Sequence, residues 1–292
     1  MRLGDCGKTN LHTYSDKEKW SLIRYLDTGS ITEGRIDEIQ TLYPGVDKIP
    51  SRARRKASVG DILFSTVRPN QKHYGIIEAG TENLLVSTGF TVVTVDTTIA
   101  DPYFIYYYLT QSSVIESLQA IAEQSTSTYP SIKPSDIEDI ELDLPELETQ
   151  KKIGSTLRML DRKIALNEEI NDNLYAQAKA IFDNHFINID AIPAGWRKGN
   201  LLDIANYLNG LAMQKFRPQG HEIGLPVLKI KELRQGSCDD SSELCSLSIK
   251  PEYIIHNGDV VFSWSGSLLV DIWCGGNLRI ESAPFQGYIR RL

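Results

Sequence analysis

From Glu146 to Phe186 the chain holds no proline and one glycine, Gly154. Steps of alternately four and three residues from Ile153 land on Leu157, Leu160, Ile164, Asn167, Asn171, Leu174, Ala178, Ile181 and His185. Seven of these ten positions are apolar, the pattern of a heptad seam on a continuous helix. At ~1.5 Å per residue the helix is a rod of roughly 60 Å. A rod of that length cannot hide its stripe inside one small domain. The seam residues Ile153, Leu157, Leu160, Ile164, Leu174 and Ile181 are the expected subunit interface. Asn167 and Asn171 either pair across that interface and fix its register, or stay solvated while the packed face drifts onto Leu166 and Ile170.

The flanking text is of a different kind. Up to about residue 100, strand-like runs such as Ser21–Leu26, Asp61–Ser65 and Gly89–Val95 alternate with turn residues. Asp101-Pro102 then opens a helical stretch to about Glu123, whose aromatic residues read as core. A Ser/Thr-rich loop at 125–130 and a short segment ending at Pro145 lead into the rod. Beyond it, Ile192-Pro193-Ala194-Gly195-Trp196 marks a boundary. The expected class is α+β: a strand-rich domain at 1–145, the long helix at 146–187 and a second strand-rich region at 193–292. The second region echoes the first, because Asp5 answers to Asp203 and Gly60-Asp61 to Gly258-Asp259, both at an offset of 198 positions. One shared offset points to a duplicated unit.

The order of several blocks resembles the specificity subunit of type I restriction-modification systems. The blocks are Leu3-Gly4-Asp5, Gly60 to Pro69, Ser131-Ile132 to Leu144-Pro145, Glu148 to Ile153, Leu160-Asp161-Arg162-Lys163-Ile164, and Gly258 to Ser267. The resemblance implies a DNA-reading subunit without catalytic chemistry. Two target recognition domains would each read half of a split site, and antiparallel spacer helices would set the gap between the halves. It also implies methyltransferase subunits and restriction subunits as partners. The chain departs from the pattern within the second recognition domain. One codon assignment for Arg279–Arg290, read one base later, gives Ala-Leu-Asn-Gln-His-Leu-Phe-Lys-Val, the text that family members carry. The expectation is a chain truncated there, with an aberrant tail from about 277. Its lone helix could then pair with a second copy to form a homodimer through 146–186.

A net charge of −7 argues against a generally basic nucleic-acid coat, but the charge is unevenly spread. Residues 1–75 hold 13 Lys and Arg against 9 Asp and Glu, whereas 76–145 hold 1 against 11. The cations cluster as Arg52, Arg54, Arg55 and Lys56, and again in the loop that carries Thr66, Arg68, Asn70, Gln71 and Lys72. Such residues supply phosphate contacts together with donors and acceptors for base edges, so double-stranded DNA is expected to lie here. Arg68-Pro69 has an alternative role as scaffold.

No catalytic residue, cofactor or metal is expected. Neither a methyltransferase pocket of the Asn-Pro-Pro-Tyr type nor a phosphate-binding GxxxxGK[ST] loop occurs, the five histidines are scattered, and the four cysteines form no CxxC pair. Without an apolar run of ~18–20 residues or a hydrophobic leader, the expectation is a cytoplasmic protein away from membranes. The competing reading is a truncated coiled-coil interaction protein, or an inactive remnant, that binds methyltransferase subunits without recognising a complete site.

Overall fold

The computed structural model describes residues 1–124, 129–263, 268–275, 278–280 and 286–291, with the backbone alone for Asp16, Met213 and the last two segments. Residues 125–128, 264–267, 276–277, 281–285 and 292 lie outside the described residues. They include part of the Ser/Thr-rich loop and part of the atypical tail. The chain divides into two units, Met1–Asn184 and His185–Leu292.

Unit 1 begins with a short helix, Leu3–Cys6 (α1). Ten strands follow: Gly7–Thr9 (β1), Ile23–Leu26 (β2), Ile31–Thr32 (β3), Arg35–Ile36 (β4), Gln40–Leu42 (β5), Ala53–Lys56 (β6), Ile62–Ser65 (β7), Tyr74–Ile76 (β8), Leu84–Ser87 (β9) and Phe90–Val95 (β10). Helices Pro102–Leu109 (α2), Ser112–Glu123 (α3), Pro134–Glu138 (α4) and the long Leu147–Phe182 (α5) complete it. One antiparallel sheet runs β1-β10-β7-β8 and a second runs β5-β2-β9-β6, with β2 and β9 parallel.

All four residues of β7 are buried because both faces of its sheet are covered. Ile62 and Phe64 face the helices, packing with Leu3, Val93, Ile105 and Leu118. Leu63 faces the second sheet with Phe90, Val92, Leu26, Leu84 and Val86. Each such fully buried side chain contributes about 1.5–3 kcal/mol of transfer free energy. The outer face of the second sheet has its own cluster of Tyr14, Ile23, Tyr25, Ala53 and Leu85.

The helical stretch after Asp101 is two helices rather than one. Asp101 Oδ1 accepts from Phe104 N–H at 2.9 Å and Pro102 fills the first turn, so α2 starts where the text indicates. It stops at Thr110, whose hydroxyl bonds back to Tyr106 O at 3.0 Å, and Gln111 is extended before α3 begins. Ile105, Tyr106 and Leu109 are buried, the core role expected of this segment.

Unit 2 holds the strands Ala205–Asn209 (β11), Leu225–Leu228 (β12), Leu244–Cys245 (β13), Ile254–Ile255 (β14), Val260–Ser263 (β15), Leu269–Ile272 (β16), Leu278–Ile280 (β17) and Gln286–Arg291 (β18), with a short helix at Ile230–Gln235 (α6). Their orders, β11-β18-β15-β16 and β13-β12-β17-β14, repeat those of unit 1 strand for strand, including the parallel inner pair β12 and β17. The duplication read from the text is therefore a duplicated topology. It extends to single hydrogen bonds. Ser58 N–H donates to Asp61 Oδ2 at 2.7 Å and His256 N–H to Asp259 Oδ2 at 2.8 Å, while Arg2 and Asn200 N–H donate to Asp5 and Asp203 at 2.8 and 2.7 Å. Gly60 and Gly258 take φ of +89° and +91°, where a Cβ is strained.

The repeat differs in its outer layer. Leu3 and Cys6 are 0% and 1% exposed beneath the helices of unit 1, whereas Leu201 and Ile204, their counterparts at the same offset, are 62% and 66% exposed. Tail strands β17 and β18 each pair on both sides. No helix among the described residues is long and apolar enough to cross a membrane.

Candidate nucleic-acid interface

The basic strip is strand β6, at the edge of the second sheet. Its outer side is covered by the segment around residue 13, since Tyr14 N–H donates to Arg54 O at 2.7 Å and Lys56 N–H to His12 O at 3.0 Å. A β-bulge between Ala53 and Arg55 breaks the alternation of side chains. Ala53 and Lys56, three residues apart, consequently meet the same aromatic cluster.

The bulge sorts the cations of the strip. Arg54 lines a cleft on the aromatic side. Arg55 lies opposite Val86, a residue of the inter-sheet core. Burial lowers its pKa, and its Nη1 is enclosed without a hydrogen-bond partner among the described residues. Lys56 Nζ sits 2.5 Å from Glu18 Oε2 and 5.2 Å from the centre of the Trp20 ring. That bond, with Ser15 N–H, holds the Glu18 carboxyl below its ordinary range. Arg52, just before the strand, is exposed.

The second candidate segment is the connection from β7 to β8, and it is built rigidly. Thr66 is used by the scaffold: its N–H and hydroxyl both reach Gly89 O, at 2.8 and 2.9 Å, and its carbonyl accepts from Ile132 N–H at 2.8 Å. Arg68 has φ +48° and donates its N–H to Pro130 O at 3.0 Å, while its guanidinium lies 5.4 Å from the Tyr129 ring centre. Pro69–Gln71 form one 3₁₀ turn between Arg68 and Lys72, both left-handed. Asn70 N–H donates to Gln119 Oε1 of α3 at 3.2 Å. Asn70 and Gln71 are exposed, and Lys72 is ion-paired with Glu33, which raises the lysine pKa.

One turn joins the two segments. Between β9 and β10, Thr88 N–H donates to Arg52 O at 2.9 Å and Gly89 O accepts from Thr66. The beginning of the strip and the root of the loop therefore lie side by side. Lys56, at the far end of the strand, and Lys72 are spent on carboxylates. In unit 2, Lys229 and Lys231 are likewise set against Glu243 and Asp239 at 2.9 and 3.6 Å.

The joint between the domain and the rod rests on residues that the sequence pattern did not single out. Gln150 is 1% exposed: its Oε1 accepts from Asp101 N–H at 3.0 Å and its Nε2 donates to Pro145 O at 2.8 Å. Gly154, the weak point of the helix on propensity grounds, is where α5 touches the start of α2. A Cβ there would lie 2.5 Å from Asp101 Oδ1 and 3.0 Å from Phe104 N. Further along, Arg158 bonds Glu78 at 3.0 Å and lies 4.4 Å from the Tyr103 ring, and Tyr107 donates to Asp161 at 2.7 Å. Burial and that bond together push the Tyr107 phenol well above its ordinary range. An Arg35–Glu168 contact at 3.2 Å is the last on this side. From Leu160 onward, on both sides of that contact, the apolar residues of the helix are exposed: Leu160, Ile164, Leu174 and Ile181 are 53–61% accessible, and Leu166 and Ile170 are exposed with them. Both registers of the seam stay open.

Among the described residues no group of three or more His, Cys, Asp or Glu is placed to hold a metal ion, and all four cysteines are free thiols.

Residues 52–176 match the family model of the type I restriction modification DNA specificity domain. The chain is 30% identical over 192 residues to the type I restriction enzyme HindI specificity subunit of Haemophilus influenzae, covering 66% of this chain and 41% of that protein. It is 24% identical over 246 residues to the type I restriction enzyme MjaIX specificity subunit of Methanocaldococcus jannaschii, covering 78% of this chain and 54% of that one. The chain thus spans about half the length of these relatives. A solved type I restriction-modification S subunit from M. genitalium shares the fold, with a TM-score of 0.54 at 15% identity, over 100% of this chain and 72% of that one.

Proposed function

We propose, from the premise that this chain carries the type I restriction modification DNA specificity domain across residues 52–176, that it is a non-catalytic subunit reading half of a split target in double-stranded DNA. The observation that carries the reading is that match, which contains every candidate DNA-facing residue from Arg52 to Lys72 and the root of the rod. The adjoining ends of the strip and the loop support it further, since phosphate contacts need cations held in fixed register. In this reading Arg52, Arg54 and Arg68 take phosphates while Asn70 and Gln71 face base edges. Methyltransferase and restriction subunits supply the chemistry. Expressed with a methyltransferase partner, the chain is expected to give a split motif in genome-wide methylation mapping; no new motif at all would overturn the proposal.

The rod supports a homodimer. Its stripe is hydrophobic and exposed from Leu160 onward, and an antiparallel pair of identical helices would make a twofold interface. Two first domains would then read a palindromic split site. Leu160→Glu combined with Ile164→Glu is expected to convert a sedimenting dimer to monomer, because four unpaired carboxylates would meet in one seam. A wild-type monomer at micromolar concentration would remove the homodimer and leave one recognition domain per complex.

A further inference from the structure

In unit 1 the helix-covered face of the sheet β1-β10-β7-β8 is set by register: Ile62 lies opposite Ile76 and Phe64 opposite Tyr74. Ile62, Phe64 and Tyr74 are buried, and Ile76 packs against the same cluster, under Ile105 and Leu109 of α2 and Ile115 and Leu118 of α3. Unit 2 repeats the register, with Val260 opposite Ile272 and Phe262 opposite Val270. All four side chains are apolar, yet Val270 and Ile272 are 53% and 58% exposed, and Val260 and Phe262 are half-buried. Leu201 and Ile204, where unit 1 has Leu3 and Cys6 in its cluster, are exposed with them. The opposite side of β15 is closed, since Val261 is buried with Leu228, Ile255 and Trp273. The strand thus carries apolar residues on both faces, as strands covered on both sides do, and the described residues of unit 2 leave one face open. A single surface valine is ordinary, but a contiguous apolar face marks an interaction site.

Unit 1 shows what fits such a face. Its cover is two short helices joined at Thr110-Gln111, and in α3 Ile115, Leu118 and Ala122 turn to the sheet while Ser113, Glu116 and Ser117 turn to solvent. We propose that the open face of unit 2 is the docking site for a helix pair of this kind, carried by a second, different polypeptide. The occupant is an amphipathic segment with aliphatic residues at i, i+3 and i+7 on one side, the spacing of Ile115, Leu118 and Ala122. Within this chain the helices that have the pattern are spent on unit 1, where Ile105, Leu109 and Leu118 are buried. The α-helix described in unit 2, α6, has six residues and sends Leu233 into the inter-sheet core. A second copy brings only the same buried helices or another open face, so a different chain is the matching source. Neither the DNA reading nor the pairing of rods enters into this inference, which stands on the duplicated topology and its unequal burial.

The test uses the full chain and, as probe, a fluorescein-labelled peptide of residues 101–124, the α2–α3 segment, read by anisotropy. Wild type is expected to bind it in the micromolar range, with slowed amide exchange in β15 and β16. Val270→Glu combined with Ile272→Glu sets two charges in the face and should weaken binding by about tenfold or more. Ile223→Glu, at an exposed apolar residue outside both sheets, should leave it within about twofold. Val270→Thr with Ile272→Thr keeps the β-branching that suits a strand and should give an intermediate loss, so the answer stands even where the charged pair disturbs unit 2. A peptide of the same composition with its apolar spacing scrambled should not bind. No binding of the native-order peptide at high micromolar concentration, equal binding of the scrambled one, or equal binding by wild type and both double variants would overturn the proposal. A wild-type chain that self-associates through Val270 and Ile272 and excludes the peptide would assign the face to a second copy, and would overturn it as well.

Discussion

With Arg52, Arg54 and Arg68 all changed to alanine, duplex DNA is expected to bind on the order of a hundredfold more weakly at physiological salt, and the plot of log affinity against log salt to flatten by roughly 2.7. Each phosphate neutralised releases counterions worth about 0.9 in that slope, and three cations with access to solvent account for the total. Arg52 and Arg68 are exposed, and Arg54 lines the open cleft beside the strip. Lys56 and Lys72 are already paired with Glu18 and Glu33, so Lys56→Ala and Lys72→Ala should each change affinity by less than about threefold. Arg55 is half-buried against the inter-sheet core with its pKa lowered by burial. Its replacement should act on stability before it acts on salt dependence. A titration series from 50 to 300 mM salt decides the matter. An unchanged slope in the triple variant would place the DNA on another face.

Gln150→Ala is expected to be the most destabilising single change at the joint of domain and rod, at about 2–5 kcal/mol. The side chain is buried and bonds two backbone groups, Asp101 N–H and Pro145 C=O, and both lose that partner if it is removed. Leaving a buried donor or acceptor unsatisfied costs about 1–3 kcal/mol each, and the lost packing adds to it. Denaturant unfolding gives the magnitude, and faster proteolysis near Pro145 shows that the loss is at the joint. A loss below about 1 kcal/mol would mean that the start of α5 can shift to rescue both groups. In that case Gly154, which admits α5 to within a Cβ of Asp101 Oδ1 and Phe104 N, would carry the attachment alone.

The two predictions differ in how far the text alone could reach them. The strip at 52–56 is visible as a cluster of cations, but equal weight falls on all four of its residues. What separates them is one extra residue in an edge strand, because a bulge shifts every later side chain to the other face. That bulge is a product of pairing with β9, thirty residues further on, and no local pattern announces it. The pairing of Lys72 with Glu33 spans a similar gap in sequence. Gln150 and Gly154 were hidden for another reason. On a helix otherwise exposed, a glutamine and a glycine look like a solvated residue and a defect, and only contact with the start of α2 gives them their roles.

Local chemistry, by contrast, was legible. A proline-free heptad stripe makes a long helix whatever surrounds it, since its hydrogen bonds are internal and its apolar period is continuous. Gly60-Asp61 and Gly258-Asp259 close the same turn in both units, because a positive φ followed by a capping carboxylate is decided within four residues. Sequence by itself thus determined the rod and the duplicated turns, both set by interactions between near neighbours. Tertiary structure decided which cations face solvent, how the rod is bolted to its domain, and which face of the second unit stays open. Those outcomes depend on long-range pairing and burial, and the same lysine or leucine reads identically in sequence whether or not a distant carboxylate or helix covers it.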